Sequence, residues 1–307
     1  GTLADKLRLA RLRRHALRGS LEDLYARRET TAPELLRAFG FSDRMVHRFF
    51  EPFFSGVFFE PDIRVSSRSF DFVFRAFALG DTALPAQGMQ AIPEQLASRL
   101  PAGCLRLNTP VARLTRDGVV TDSGEHWSAP ARVLATDAWA TARLLGAPEP
   151  EARGTTCLYF AADRPPFAGP DLVLNGTGRG PVNSLLCPGN LAPAYTPPGK
   201  ALITVNLLGT DHDLPAAVRA VRTQLRGWYG ADVDRWESLA HYPIPRALPG
   251  QAPPVPWPGA RKLQLQTDLW CCGEHCGEPS IHWALANGRR CGAGVARRLG
   301  TGPPPAG

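Results

Sequence analysis

The segment from Leu269 to Arg290 constrains this chain more than any other. Leu269 to Cys272 is a short apolar run that ends on Gly273 and Glu274, and Ser280 then opens a stretch with helical spacing. A buried strand therefore delivers a glycine and a carboxylate to a loop, and a helix follows. The N–H groups and positive dipole end of that helix favour an electron-rich or anionic group beside the turn. This is the physics of a cofactor cradle, and it requires a sheet behind it.

The rest of the chain supplies sheet and helix in alternation. Leu3, Leu7, Leu9, Leu12 and Leu17 recur at roughly helical spacing, Ser20 with Asp23 caps a further helix, and Thr31 with Pro33 begins another that Gly40 ends. A helix carrying Ile92, Leu96 and Leu100 follows Gly88. Short strands are then expected at 104–108, 111–116, 119–121, 126–127 and 132–135, separated by tight-turn dipeptides, with a helix over 138–145. A second sheet is expected from 157–161, 172–174, 182–186 and 201–207, then a helix over 213–229 and a strand over 236–242. Residues 243–258 read as a proline-rich connector without regular structure. The strand at 269–272 and a helix over 281–299 close the series.

At 307 residues, with 44% hydrophobic and 21% charged residues, the composition excludes a disordered or fibrous protein. The formal charge of +7 is almost wholly arginine, since Lys6, Lys200 and Lys262 are the only lysines. Its densest part, Arg8, Arg11, Arg13, Arg14 and Arg18, reads as a solvated helix face; contact with nucleic acid or anionic lipid is the alternative. Seven cysteines, four of them at 271, 272, 276 and 291, do not make a secreted disulfide framework. With no leader and no run of about 18 apolar residues, the cytoplasm is the expected compartment.

Phenylalanines crowd one region: Phe49, Phe50, Phe53, Phe54, Phe58 and Phe59, then Phe70, Phe72, Phe74 and Phe77. They line an apolar pocket, fill a helical core, or rest on a membrane surface; the sequence leaves all three open.

Three ordered segments resemble the FAD-dependent oxidoreductases of the phytoene desaturase and amine oxidase (protoporphyrinogen oxidase-like) superfamily. Residues 269–290 are similar to its C-terminal FAD motif, residues 85–94 with Gly88 and Met89 to its glycine–methionine segment, and residues 108–136 to its adenine-side strands. The resemblance covers essentially the whole chain. It implies an α/β (α+β) fold in which an incomplete FAD-binding Rossmann-like domain is interleaved with a substrate domain of mixed β-sheet and helices. The expected division is 1–84 (helical part of the substrate domain), 85–148 (FAD segment), 149–250 (substrate-domain sheet and helix), 251–300 (C-terminal FAD segment) and a disordered tail at 301–307.

By the same resemblance, Gly273, Glu274, Ile281, His282 and Gly288 line the flavin ring and ribityl chain, with Ser280 at the helix start, while Val111, Ala135 and Thr136 lie on the adenine side. Gln87 replaces a glycine of the family pattern, and Asn287 stands where serine is common. No G-x-G-x-x-G occurs anywhere, so the sequence is read as a fragment or truncated product that holds FAD weakly or not at all alone.

Cys271, Cys272, His275, Cys276, His282 and Cys291 are possible zinc ligands, but no second paired knuckle lies elsewhere and the lead-in reads as strand, so no metal is expected. No general base stands out, and neither Lys200 nor Lys262 can be placed near a flavin. The expected activity is hydride transfer from an apolar, polyene or lipid-like substrate to FAD, with amine oxidation or a non-catalytic binding module as alternatives. The expected partners are a small apolar substrate and a peripheral membrane contact, without nucleic acid.

Overall fold

The computed structural model describes residues 1–301. In chain order it forms α1 (Leu3–Leu17), α2 (Leu21–Ala26), α3 (Ala32–Ala38), α4 (Asp43–Met45), a π-helical turn (Val46–Phe50), α5 (Glu51–Phe58), α6 (Ser67–Leu79) and α7 (Ala91–Ala97). Then come β1 (Val111–Leu114), β2 (Gly118–Thr121), β3 (His126–Ser128), β4 (Arg132–Leu134) and α8 (Ala138–Leu145). The remainder holds β5 (Ala152–Ala162), β6 (Val173–Leu174), β7 (Ser184–Leu186), β8 (Ala201–Leu208), α9 (Leu214–Tyr229), β9 (Glu237–Pro249), β10 (Leu269–Cys271) and α10 (Ile281–Arg298). The class is mixed α/β. Apart from Thr301, the expected tail lies outside the described residues.

Two compact units interleave along the chain. Residues 1–99 and 152–255 make one, and residues 100–151 with those from 256 onward make the other. Residues 85–99 thus stay with the first unit.

Capping boxes open the first three helices of the first unit. Thr2, Ser20 and Thr31 each accept from the backbone three residues on, and Asp5, Asp23 and Glu34 reach back to the cap. Leu12 and Ala16 anchor α1, while Leu3 and Leu7 stay exposed. No described helix is long and apolar enough to cross a membrane.

The phenylalanine-rich segment is the core of this helical part rather than a pocket. Phe50, Phe54, Phe58 and Phe70 are almost wholly buried, and the Phe54 and Phe70 ring centres lie 4.4 Å apart. The rings pack on one another at helical spacing, α5 against α6.

The first unit's sheet runs β6-β7-β8-β5-β9, antiparallel throughout. Leu158, Phe160, Ile203, Val205 and Leu207 alternate onto one face and pack with Val221 and Leu225 of α9. The connector expected from Pro243 is in part strand: β9 continues to Pro249, with Thr156 opposite Pro243 and Ala152 opposite Pro249. β9 is an edge strand, where proline's missing N–H costs no ladder bond on the open side.

The second unit holds the antiparallel sheet β1-β2-β3 and the parallel pair β4–β10, in which Leu269, Trp270 and Cys271 lie opposite Arg132, Val133 and Leu134. The buried Arg132 ties this pair down, with its guanidinium 2.5 Å from Asp268 and donating to the Thr115 carbonyl. The strand expected at 104–108 does not form. Leu105 and Leu107 are exposed, and Asn108, in the left-handed region, ends the run before any partner is met.

If the aromatic cluster is core, Phe54→Ala should destabilise the protein by about 3–5 kcal/mol, whereas Phe77→Ala, at a partly exposed ring, should cost far less. Urea unfolding midpoints measure both.

Candidate functional site

Because β4 and β10 are parallel, both end at the same side of their sheet. Cys272 N–H donates to the Leu134 carbonyl at 2.8 Å, and beyond that bond the chains leave as Ala135–Thr136 and Gly273–Glu274. Loops at the carboxyl ends of parallel strands are where α/β proteins bind ligands. Gly273 adopts φ 144° and ψ 179°, a conformation open only to glycine. A Cβ there would sit 2.9 Å from the His275 ring and 3.3 Å from the Thr136 carbonyl oxygen.

A buried amide side chain ties the helix to this corner, alongside the packing of Cys291 against Cys271, Cys272 and Cys276. Asn287 is fully buried, and its Nδ2 donates to the Gly273 carbonyl at 3.0 Å. Its Oδ1 accepts from Arg290 Nη1 at 2.9 Å, and the same guanidinium donates to the carbonyls of Gly259 at 2.8 Å and Arg261 at 3.0 Å. Gly288, the next residue, is thereby held beside the glycine–acid corner.

Ser280 caps α10 by accepting from Trp283 N–H at 3.3 Å. Ile281, Leu285 and Gly288 follow at i, i+4 and i+7 on one exposed face, with the two apolar side chains 49% and 47% exposed. A Cβ on Gly288 would meet nothing within 4 Å. The helix thus offers an open apolar ledge, with first-turn N–H groups outside its own hydrogen-bond ladder at one end.

The corner's polar groups are placed by short contacts. Burial pushes the Glu274 carboxyl above its ordinary range; the nearby His275 opposes the shift, and Asp137 adds to it. Asp137 itself caps α8 by accepting from Ala140 N–H at 2.7 Å, and the Thr136 hydroxyl lies 2.8 Å from that of Thr141.

Of the residues singled out from sequence, Ala135, Thr136, Gly273 and Glu274 meet at the strand ends, and Asn287 joins the helix carrying Ser280, Ile281, His282 and Gly288 to them. His282 is exposed, with its ring edge-on to Trp283 at 5.6 Å. Val111 opens β1, exposed, and pairs with Thr121 rather than with either strand of the corner. Asn287 was legible only as a departure from a pattern, yet a signal existed. Trp283, Asn287 and Cys291 repeat every four residues, and an amide inside a buried stripe needs a hydrogen-bond partner. Of the six thiols and imidazoles that could bind a metal, the fold gathers Cys271, His275 and Cys276 and leaves His282 exposed on the first turn of α10.

The donors present fit an FAD ring and ribityl chain. An open apolar helix face, where a Cβ on Gly288 would meet nothing within 4 Å, and a half-buried carboxylate are both supplied by the chain.

Residues 2–295 match the family model described as flavin containing amine oxidoreductase. The fold is similar to that of an oxidoreductase from Methanosarcina mazei, with TM-score 0.69 at 15% identity, over 92% of this chain and 69% of that one. It is also similar to cyclohexylamine oxidase from Brevibacterium oxydans, with TM-score 0.65 at 15% identity, over 95% and 74%. No curated protein sequence matches.

Two glycine substitutions separate folding from cofactor binding. Gly288→Leu should leave the helix at least as stable, since leucine is the better helix former by about 0.8 kcal/mol, while its side chain covers the ledge and lowers the flavin content of the purified protein. Gly273→Ala should destabilise by about 1–3 kcal/mol. Thermal melts and visible absorbance read both effects, and undiminished flavin in folded Gly288→Leu would remove the ledge from the cofactor site.

Proposed function

Because this chain belongs to the flavin-containing amine oxidoreductase family, we propose that its Gly273–Glu274 corner and the α10 ledge carry the ring and ribityl parts of FAD, and that its substrate is an apolar molecule oxidised at carbon. The chain is an FAD-dependent oxidoreductase. The observation that carries the placement is the Asn287–Gly273 hydrogen bond, which holds the strand corner and the helix face together.

When bound, FAD supplies the two-electron acceptor for a hydride. Ile281 and Leu285, both exposed, would offer the ring apolar contact and exclude water from one side of it. Gly288 lets a planar group lie against the helix backbone. The first-turn N–H groups and positive end of α10 favour electron-rich atoms, so they stabilise charge that develops near them. Glu274 would accept hydrogen bonds from the hydroxyls of the ribityl chain.

Support for an apolar substrate does not come from the phenylalanine cluster, which is core. It comes from the first unit's sheet face opposite α9, where the Tyr159 and Tyr242 rings pack edge to face at 5.7 Å and Ile244 is exposed. Burial pushes the Tyr159 hydroxyl and the Cys157 thiol on that face upward, so neither acts as a base near neutral pH. Lys200 is ion-paired with Asp163 at 2.8 Å on the exposed surface. Hydride removal from carbon needs no such base.

Anaerobic mixing with candidate substrates tests the proposal. A polyene or lipid-like hydrocarbon deuterated at the cleaved position should bleach the flavin with a primary isotope effect. Bleaching by alkylamines but not by hydrocarbons would replace this reading with amine oxidation.

A further inference from the structure

Four free thiols, those of Cys271, Cys272, Cys276 and Cys291, lie buried in the second unit's small core, where aliphatic side chains would pack at least as well. Three groups in this region converge. Cys271 Sγ lies 3.7 Å from Cys276 Sγ and 3.4 Å from His275 Nε2, and the donor atoms of the three residues all fall within 4.8 Å of one another.

Two of these separations match edges of a coordination tetrahedron, and the third donor pair lies within reach of closing on an ion. With zinc–sulfur bonds of about 2.3 Å and zinc–nitrogen bonds of about 2.0–2.1 Å, tetrahedral angles put two sulfurs about 3.8 Å apart and a sulfur about 3.5 Å from a nitrogen. The sulfurs are also well beyond the disulfide length of about 2.05 Å. We propose that Cys271, His275 and Cys276 bind a zinc ion, which ties the end of β10 to the turn that follows Gly273.

Charge supports the same assignment. Binding forms two zinc–sulfur bonds and releases the two thiol protons, and one Zn²⁺ with two thiolates and a neutral imidazole carries no net charge. A neutral site avoids the penalty that would exclude a charged one from a buried core. Cys271 and Cys276 are buried and His275 is only partly so, which gives the ion an approach from the imidazole side. Three protein ligands leave the fourth position to water or a small thiol.

The site is built by the same glycine as the corner. A Cβ on Gly273 would lie 2.9 Å from both Nδ1 and Cε1 of His275, so only glycine lets the imidazole swing back over the strand end and bring Nε2 to the sulfur. The spacing of cysteines along the chain conceals this, because no second knuckle exists; the turn at residues 274–276 supplies two of the ligands by itself.

The test reads the metal, not the activity, so it stands apart from the flavin assignment. The purified protein is stripped with a chelator and titrated with Co²⁺. The expected result is thiolate-to-cobalt charge transfer in the near ultraviolet with the intense visible bands of four-coordinate cobalt, abolished by equimolar Zn²⁺. His275→Ala, at the least buried ligand, should weaken binding at least about tenfold with an unchanged circular dichroism spectrum. A native-like protein that shows only octahedral cobalt at excess metal overturns the proposal. A Cys271–Cys276 disulfide found by mass spectrometry in protein purified under reducing conditions overturns it as well.

Discussion

One hydrogen bond organises the second unit, the one from Asn287 Nδ2 to the Gly273 carbonyl. A strand leaving a parallel pair has no further ladder partner, and the glycine it ends on sits in a conformation that would cost a residue with a side chain about 1–3 kcal/mol. The buried amide holds it there. Arg290 keeps that amide oriented by donating to its oxygen, and the carbonyls of residues 259 and 261 keep the guanidinium in turn. The chain of contacts is continuous from the loop before β10 to the glycine–acid corner.

Gly273 serves both sides of the corner. Without a Cβ it accepts the His275 ring on one side and lies close to the Thr136 carbonyl on the other. A flavin ledge and a zinc-sized cluster of soft donors can therefore share one residue without sharing a chemistry. The carboxylate and helix face point to FAD, and the two thiols with an imidazole point to a metal.

The sequence shows its local physics plainly and its long-range physics poorly. Capping residues Thr2, Ser20 and Thr31, the α8 and α10 boundaries and the strand–glycine corner all follow from patterns within a few residues. Pro243 and Pro245 looked like breaks because only the sheet order reveals that β9 is an edge, where proline is tolerated. The phenylalanines fit pocket and core equally until α5 and α6 are seen to face each other. Leu105 and Leu107 alternate as a strand would, but nothing pairs with them. Asn287 shows the same division: its place in the buried stripe is readable, and its partner fourteen residues upstream is not.

The most direct measurement is the FAD dissociation constant of the Asn287→Leu protein, taken on a sample whose circular dichroism matches the parent. Loss of the amide leaves the Gly273 carbonyl and one Arg290 donor unpaired, at a cost of about 1–3 kcal/mol. If the corner and the helix form one flavin site, affinity should fall by about tenfold or more. Unchanged affinity in a folded variant would contradict the account, because the strut would then have no part in holding the cofactor.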